Sequence, residues 1–313
     1  MISVVIPVYN EEQNIPVLYD ELREVFSAIN NPYEIIFVDD GSIDKSRDLI
    51  RGLAKADSKV KAVLLRRNFG QTSAIAAGID HAQGKYVMTM DADLQNDPRD
   101  AALLLKKMDE GYDLVNGWRR KRKEPFLSRR LPSMIANRII SALTGLKLHD
   151  YGCTLKMYRR DVLKNVNLYG EMHRFIPVYV YWMGGKIVEI EVNHRGRRWG
   201  KSKYGINRTL KVIFDLITVK FLLGNSSTSP LYFFGGWGVL LIAVGTVCGF
   251  VTLAQKVILG LWVHRNPLLL LSVFSFILGT QIIFMGLLAE LSVRIYYETT
   301  RRTIYVVEEK VNC

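Results

Sequence analysis

The stretch YVMTMDADLQ, residues 86–95, is the part of this 313-residue chain that decides its fold. An apolar run, Tyr86–Met90, has the pattern of a buried β-strand, and Asp91 and Asp93 follow where that strand would enter a loop. Two carboxylates spaced in this way can hold Mg²⁺ or Mn²⁺ against a diphosphate, because these ions take few protein ligands and complete their shell with water and phosphate oxygens. An Asp that caps the following helix would give the same short pattern, so both interpretations stay open.

Strands and helices alternate on the N-terminal side of this segment. Further apolar strands are predicted at Ile2–Val8, Tyr33–Val38 and Val60–Leu65, with helices between them. Such a pattern indicates a parallel sheet covered on both faces, and therefore an α/β fold. Ligands of these sheets bind at the carboxyl ends of the strands. Four polar clusters fall at such ends: Pro7–Glu11, Asp39–Ser42, Arg66–Gly70 and Asp91–Gln95.

The pattern becomes less regular after Pro98. Strands are predicted at Leu114–Gly117, Tyr151–Tyr158 and Lys186–Val192, with helices between them. The loop Trp118–Arg130 carries seven Lys and Arg residues against one Glu. Such a run is usually a solvated surface or a localisation signal.

Two uncharged segments near the C-terminus predict a transmembrane hairpin. Leu231–Ala254 contains 24 residues without a charge and Pro267–Ala289 contains 23. At about 1.5 Å per residue each reaches roughly 35 Å, which is enough to cross a hydrocarbon core. More Lys and Arg flank the outer ends of the pair than the short loop between them, so we expect a multi-pass protein of the inner (plasma) membrane with its large domain in the cytoplasm. The resulting division is 1–206 for the catalytic domain, 207–226 for an amphipathic interface helix, 227–296 for two membrane helices (about 231–256 and 267–293) and 297–313 for a cytoplasmic tail. For the helix at 207–226, an ordinary packed helix is an equal alternative to one in the membrane interface.

Charge and cysteine content narrow the class of protein. The net charge is +12, which in a soluble protein would suggest nucleic acid. With a membrane anchor present, anionic lipid and phosphorylated substrates fit better, and we expect no nucleic-acid partner. Cys153, Cys248 and Cys313 lie far apart, which fits neither a disulfide framework nor a zinc site.

The strand-end segments carry a set of motifs in a characteristic order. VIPVYNE (residues 5–11), VDDGS (38–42) and DADLQ (91–95) resemble the family 2 glycosyltransferases with the GT-A fold. RNFG (67–70), HRGR (194–197) and GKSKY (200–204), followed by two membrane helices, narrow this to polyprenyl-phosphate glycosyltransferases similar to dolichol-phosphate mannose synthase and bactoprenol glucosyltransferase. The resemblance covers essentially the whole chain and implies a Rossmann-like, mostly parallel catalytic sheet.

The resemblance also implies site residues. Those that would bind the nucleotide-sugar are Pro7, Tyr9, Asn10, Glu11, Asp39, Asp40 and Asp91, joined by Arg197, Ser202 and Lys203 from a loop over the diphosphate. Those that would hold Mg²⁺ or Mn²⁺ are Asp91, Asp93 and Gln95. Those that would grip the lipid phosphate are Arg119, Arg129, Arg130 and Ser133. Arg suits that task because its planar fork pairs two phosphate oxygens. A helix-capping role stays open for at least one of Asp39 and Asp40.

The implied reaction is a single inverting displacement. The lipid phosphate would attack the anomeric carbon of the sugar, most simply glucose from UDP-glucose, while the nucleoside diphosphate leaves. Asp93 and Asp150 would be the catalytic carboxylates. Asp150 could act as a base or only orient other groups. The alternative for Asp150 is a structural Asp in a turn, without a catalytic role. A phosphate acceptor is already largely anionic at neutral pH, so a strong base is less necessary.

The sequence leaves three alternative functions open. The same reaction could use GDP-mannose or a UDP-aminosugar. A processive polysaccharide synthase would carry Gln-x-x-Arg-Trp, which this sequence lacks. A nucleotide-binding membrane scaffold without activity is the non-enzymatic alternative, and metal-dependent turnover would exclude it. Relatives of this type also suggest a homo-oligomer.

Overall fold

The chain divides into two compact units, Met1–Ile217 with Thr303–Cys313, and Thr218–Arg302. The computed structural model describes residues 1–120, 131–164, 166, 168, 172–199, 230–260, 262–263, 266–299 and 304–313. In these ranges the first unit is an α/β domain and the second consists of two long helices. The predicted interface helix at 207–226 lies outside the described residues.

A mixed sheet forms the centre of the first unit. Its strands are β1 (Ile2–Val8), β2 (Tyr33–Asp39), β3 (Val60–Leu65), β4 (Tyr86–Thr89), β5 (Leu114–Trp118), β6 (Lys156–Arg159), β7 (Ile187–Glu191) and β8 (Val307–Val311). Their order in the sheet is β7-β5-β6-β4-β1-β2-β3-β8. The pairs β1–β2, β1–β4, β2–β3 and β5–β7 are parallel, whereas β6 and β8 run antiparallel to their neighbours. The prediction of a mostly parallel α/β sheet is confirmed.

Helices cover the parallel half of the sheet. Within the described ranges, the α-helices of this unit are α1 (Ile15–Ile29), α2 (Ser46–Ala56), α3 (Gln71–Asp80), α4 (Ala101–Asp109), α5 (Leu131–Thr144), α6 (Arg160–Leu163) and α7 (Ile176–Trp182). The apolar stripe of α1, from Ile15 to Phe26, joins the fully buried residues of β1 and β2 in the core. On α3, Gly78 allows close approach to β1, because a Cβ there would lie 2.2 Å from Cγ1 of Val5. This close packing holds α3 directly against β1.

Two segments differ from their predicted structure. The strand predicted at Tyr151–Tyr158 begins only at Lys156, and the residues before it form a turn. Tyr151 is buried in that turn with its hydroxyl donating to the carbonyl of Leu146, so its apolar character reflects core packing rather than strand pairing. Residues 297–313 were expected to be a tail, but Val307–Val311 forms β8 and pairs with β3 at the edge of the sheet. Ala62 of β3 pairs with Val311, 249 positions further along the chain. Single-sequence periodicity does not report such distant pairing.

The second unit is a helical hairpin. It contains α8 (Pro230–Leu259) and α9 (Pro267–Thr299). Each is long and apolar enough to cross a membrane, over Phe233–Leu259 and Pro267–Ser292. The two helices pack through small residues: a Cβ on Gly279 would lie 2.7 Å from the carbonyl oxygen of Gly238. Large apolar side chains point outward along both helices, as expected for surfaces in contact with lipid.

Candidate active site

Each of the first four strands enters its loop through a residue with left-handed backbone. These residues are Asn10 after β1 (φ 52°), Gly41 after β2 (φ 71°), Gly70 after β3 (φ 95°) and Leu94 after β4 (φ 61°). Such conformations are costly for Leu and persist where the surrounding structure enforces them, often at functional sites. The four predicted polar clusters therefore lie in tightly turned loops at one edge of the sheet.

Arg197 joins the loops that follow β1 and β4. Its Nη2 donates to Oε1 of Glu11 at 2.6 Å, and its Nη1 lies 3.8 Å from Oδ2 of Asp93. Glu11 is also fixed by Asn14, whose Nδ2 donates to Oε2 at 2.5 Å. The structure thus brings together three residues that the sequence placed in one site, although they are up to 186 positions apart.

Asp93 lies in an environment that disfavours its ionised form. Burial, and then the neighbouring charge of Asp91, raise the pKa of Asp93 to about 7. In the described residues no three or more His, Cys, Asp or Glu side chains gather into a group able to hold a metal. One or two carboxylates suffice for Mg²⁺ or Mn²⁺ when substrate phosphates supply the remaining ligands. The hard oxygen donors and the unfavourable charge on Asp93 therefore fit a divalent cation that binds together with a diphosphate.

Asp91 is held in a fixed orientation by two residues that sequence reasoning missed. Nε2 of Gln71 donates to Oδ1 at 2.7 Å, and Oγ1 of Thr154 donates to Oδ2 at 2.7 Å. Thr154 belongs to the segment that was predicted to be a strand. Gln71 could have been found from its position, because it opens the helix after a strand-end cluster, where side chains reach the carboxyl edge of the sheet.

The two carboxylates of the VDDGS segment have different partners. Asp40 accepts hydrogen bonds from the backbone N–H groups of Phe69 (2.7 Å) and Gly70 (2.9 Å), and so ties the loop after β3 to the loop after β2. Burial raises the pKa of Asp40 to about 6. Asp39 is fully buried and accepts from Nε of Arg47 at 3.1 Å. In this conformation both carboxylates stabilise the turn that would present the nucleotide site.

Gly41 offers a test of that turn. A Cβ at this position would lie 2.5 Å from the backbone carbonyl carbon of Arg67 and from the backbone nitrogen of Asn68, atoms that cannot rotate away. We expect Gly41→Ala to destabilise the domain by about 3 kcal/mol through strain and steric overlap, measured by thermal unfolding. Gly52→Ala on α2 is the matched control, because a Cβ there meets nothing within 4 Å. A stability equal to that of wild type for Gly41→Ala would contradict the described loop packing.

Asp150 and Arg119 form a buried ion pair. Nε of Arg119 donates to Oδ2 of Asp150 at 2.8 Å and Nη2 donates to Oδ1 at 3.1 Å, so the fork of the guanidinium covers both carboxylate oxygens. The side chain of Asp150 has no exposed surface. Its loop is held by Glu189, which accepts from the backbone N–H groups of His149 (2.9 Å) and Asp150 (3.0 Å). This geometry favours the orienting role for Asp150 over the role of a base.

Several other predicted residues have defined positions. Pro7 and Tyr9 are half-buried at the end of β1, and Gln95 follows the turn in which its own N–H donates to Asp93 at 3.1 Å. Ser133 lies in the first turn of α5, with its side chain outside the described set. The predicted residues that fall outside the described ranges are Arg129, Arg130, Ser202 and Lys203. The roles assigned to all of them stay predictions.

Comparison with known proteins identifies the family. The model of glycosyl transferase family 2 matches residues 3–166. The chain is 40% identical over 316 residues to dodecaprenyl-phosphate galacturonate synthase from Rhizobium johnstonii, an alignment that covers 98% of this chain and 92% of that protein. It is 36% identical over 310 residues to undecaprenyl-phosphate 4-deoxy-4-formamido-L-arabinose transferase from Shewanella sediminis, with the same coverage of 98% and 92%.

A solved structure gives the fold independently. Glucosyl-3-phosphoglycerate synthase from Mycobacterium tuberculosis, in complex with Mn²⁺, UDP and phosphoglyceric acid, superposes with a TM-score of 0.55 at 21% identity, over 70% of this chain and 78% of that chain. At this identity the likeness shows the fold alone, which is the expected GT-A fold. The family match spans more than half of the 313 residues, and the relatives exceed 30% identity along almost the whole chain. This chain therefore belongs to glycosyl transferase family 2 and is a glycosyltransferase.

Proposed function

We propose that this protein transfers one sugar from a nucleoside diphosphate sugar to a polyprenyl phosphate at the cytoplasmic face of the inner membrane. The observation that carries the proposal is the likeness, along 98% of the chain, to two enzymes whose names specify dodecaprenyl phosphate and undecaprenyl phosphate. The apolar hairpin of α8 and α9 supports it, because a polyprenyl tail gains about 0.8 kcal/mol for each buried CH₂ and stays in the bilayer. A membrane-anchored active site can reach the phosphate of such a lipid.

The described side chains have clear tasks in this reaction. Asp91, oriented by Gln71 and Thr154, and Asp93 would hold the divalent cation. The cation would neutralise charge on the departing diphosphate. Arg119, fixed by Asp150, would bind and orient the lipid phosphate, whose oxygen attacks the anomeric carbon. Arg197 would offer its charge beside the same diphosphate.

The identity of the sugar is the open part of the proposal. Glucose from UDP-glucose was the expectation from the sequence, whereas the names of the two relatives specify galacturonate and 4-deoxy-4-formamido-L-arabinose. All three fit a UDP-sugar donor, and GDP-mannose is the alternative with a different base. A homo-oligomer in the membrane stays a prediction.

A donor panel tests the proposal. Purified full-length protein in detergent is mixed with undecaprenyl phosphate and one labelled donor: UDP-glucose, UDP-galacturonate, UDP-4-deoxy-4-formamido-L-arabinose or GDP-mannose. We expect label to enter the organic phase from a single UDP-sugar, to stop with EDTA and to resume with excess Mg²⁺ or Mn²⁺, because the carboxylate site needs its cation. Absence of transfer from every donor would contradict the proposal and favour a nucleotide-binding scaffold.

The lipid product of the same assay also distinguishes a single transfer from a processive synthase. A single addition gives one lipid species of fixed mass, whereas a polymerase gives a ladder. We expect the single species, since the described residues offer two helices long enough to span a membrane, too few to enclose a polymer channel.

A further inference from the structure

Arg47, on α2, connects the last strand of the sheet to the turn after β2. Its Nε donates to Oδ2 of Asp39 at 3.1 Å, and its Nη1 donates to Oε2 of Glu308 on β8 at 2.9 Å. Its Nη2 donates to the carbonyl oxygen of Leu65 at the end of β3. A single guanidinium therefore joins three elements, which the rigid fork of Arg permits and the point charge of Lys does not.

The contact with Asp39 extends into the predicted nucleotide site. Asp39 accepts from the backbone N–H of Ser42 at 3.3 Å, and Oγ of Ser42 accepts from the backbone N–H of Asn10 at 2.9 Å. Oδ1 of Asn10 in turn accepts from the backbone N–H of Ile43 at 2.8 Å. The turn at 39–43 and the loop after β1 are thus held together, and Asp39, buried without exposed surface, needs Arg47 as its counter-charge.

Glu309, the residue after Glu308 on β8, makes a similar ion pair with a different arginine. Glu309 binds Arg51, which donates from Nη2 at 2.8 Å and from Nε at 3.1 Å. The other ion-pair partner of Arg51 is Asp48, at the surface of α2. Glu308 and Glu309 are both partly exposed acidic residues of one strand. In the described part of the chain Glu308 forms the direct ion pair with the arginine that holds Asp39, whereas Glu309 pairs with Arg51 and acts on Arg47 only at longer range.

We propose that Arg47 is a positioning residue of the donor-nucleotide site, and that the C-terminal strand contributes Glu308 to keep it in place. The inference rests on the proposed function, since it takes the turn at 39–43 as part of that site. On this inference β8 does more than form the edge of the sheet, because its Glu308 also helps to set the affinity for nucleotide.

Charge reversal at the two adjacent glutamates tests the inference. The probe is UDP with excess Mn²⁺, and the readouts are the Kd of UDP by calorimetry and the unfolding temperature without UDP, both on the full-length protein. We expect Glu308→Lys to weaken UDP binding about tenfold, because it repels Arg47 away from Asp39, and Glu309→Lys to change the Kd by less than about twofold. The unfolding temperature should fall at least as far for Glu309→Lys, because that variant loses a forked ion pair.

Variants of Arg47 provide a second test of the inference. Arg47→Gln should weaken UDP binding at least as much as Glu308→Lys, and Arg47→Lys should restore part of the loss by keeping the charge near Asp39. In transfer assays KM for the donor should rise while kcat at saturating donor stays near wild type.

The outcomes separate this inference from the proposed function. Equal UDP affinities for Glu308→Lys and Glu309→Lys, or affinities that follow the unfolding temperatures, would contradict the positioning role. Absence of sugar transfer by the wild-type protein, with the tenfold difference in UDP affinity retained, would contradict the proposed function and support the positioning role.

Discussion

Replacement of Asp93 by Asn is expected to lower the rate of sugar transfer about a thousandfold and, at the same time, to stabilise the metal-free protein. Asn keeps the volume of Asp but removes the charge that would bind the cation. The gain in stability follows because burial and the nearby charge of Asp91 both disfavour the ionised form of Asp93. We expect the free energy of unfolding to rise by about 1–2 kcal/mol near pH 8.

Opposite changes in activity and stability distinguish a binding site from a structural one. Initial rates and urea unfolding without metal give the two quantities. Asp20→Asn is the matched control, because Asp20 is an exposed residue of α1 and should leave both unchanged. Full activity in Asp93→Asn would exclude Asp93 as a ligand of the catalytic cation. A large loss of stability would show that Asp93 supports the fold instead.

Replacement of Asp150 by Asn is expected to lower kcat/KM for the lipid acceptor about a hundredfold. The change leaves the guanidinium of Arg119 without the carboxylate that covers its fork. Arg119 is largely buried, with 15% of its side chain exposed, so its charge becomes poorly compensated and its orientation toward the phosphate is lost. Donor binding should persist, because in the described residues Asp91 and Glu11 are held by Gln71, Thr154 and Arg197.

A double-mutant cycle and a pH profile decide between the two roles of Asp150. If Asp150 acts through Arg119, Asp150→Asn and Arg119→Lys are strongly non-additive, with a coupling of about 2 kcal/mol. The acid limb of the wild-type pH–rate profile should remain in Asp150→Asn, whereas loss of that limb would indicate a base. Arg120→Lys is the control, because Arg120 pairs with Glu191 at the surface. Additive effects of the first two variants would contradict the orienting role.

The parallel half of the fold was predictable because its strands are continuous and buried. Ile2–Val8 and Val60–Leu65 match the structure at both ends, since a strand covered on two faces needs apolar residues along its whole length. The same logic placed the strand-end clusters correctly at one edge of the sheet. Edge strand β8 escaped prediction, because a five-residue strand with three charges has no distinctive pattern until its distant partner is known.

Side-chain roles within the clusters were less predictable than their location. Neighbouring residues at a strand end point to opposite faces, so Asp39 and Asp40 were bound to have different partners. The sequence does not reveal that those partners are Arg47 for Asp39 and the backbone of Gly70 for Asp40. The covering of Asp150 by Arg119 depends on two loops that meet only in the folded domain. Motifs locate the chemistry, whereas long-range contacts decide which carboxylate binds a ligand and which one holds the scaffold.

The most direct test of the central claim is to identify both products of one reaction. Full-length protein, undecaprenyl phosphate and the UDP-sugar selected by the donor panel are incubated with Mg²⁺ or Mn²⁺, and the lipid and the released nucleotide are analysed by mass spectrometry. Transfer of the sugar alone predicts equimolar UDP and a lipid that carries one sugar on one phosphate. Release of UMP with a diphosphate-linked lipid, or a lipid left unchanged by wild type, would contradict the account.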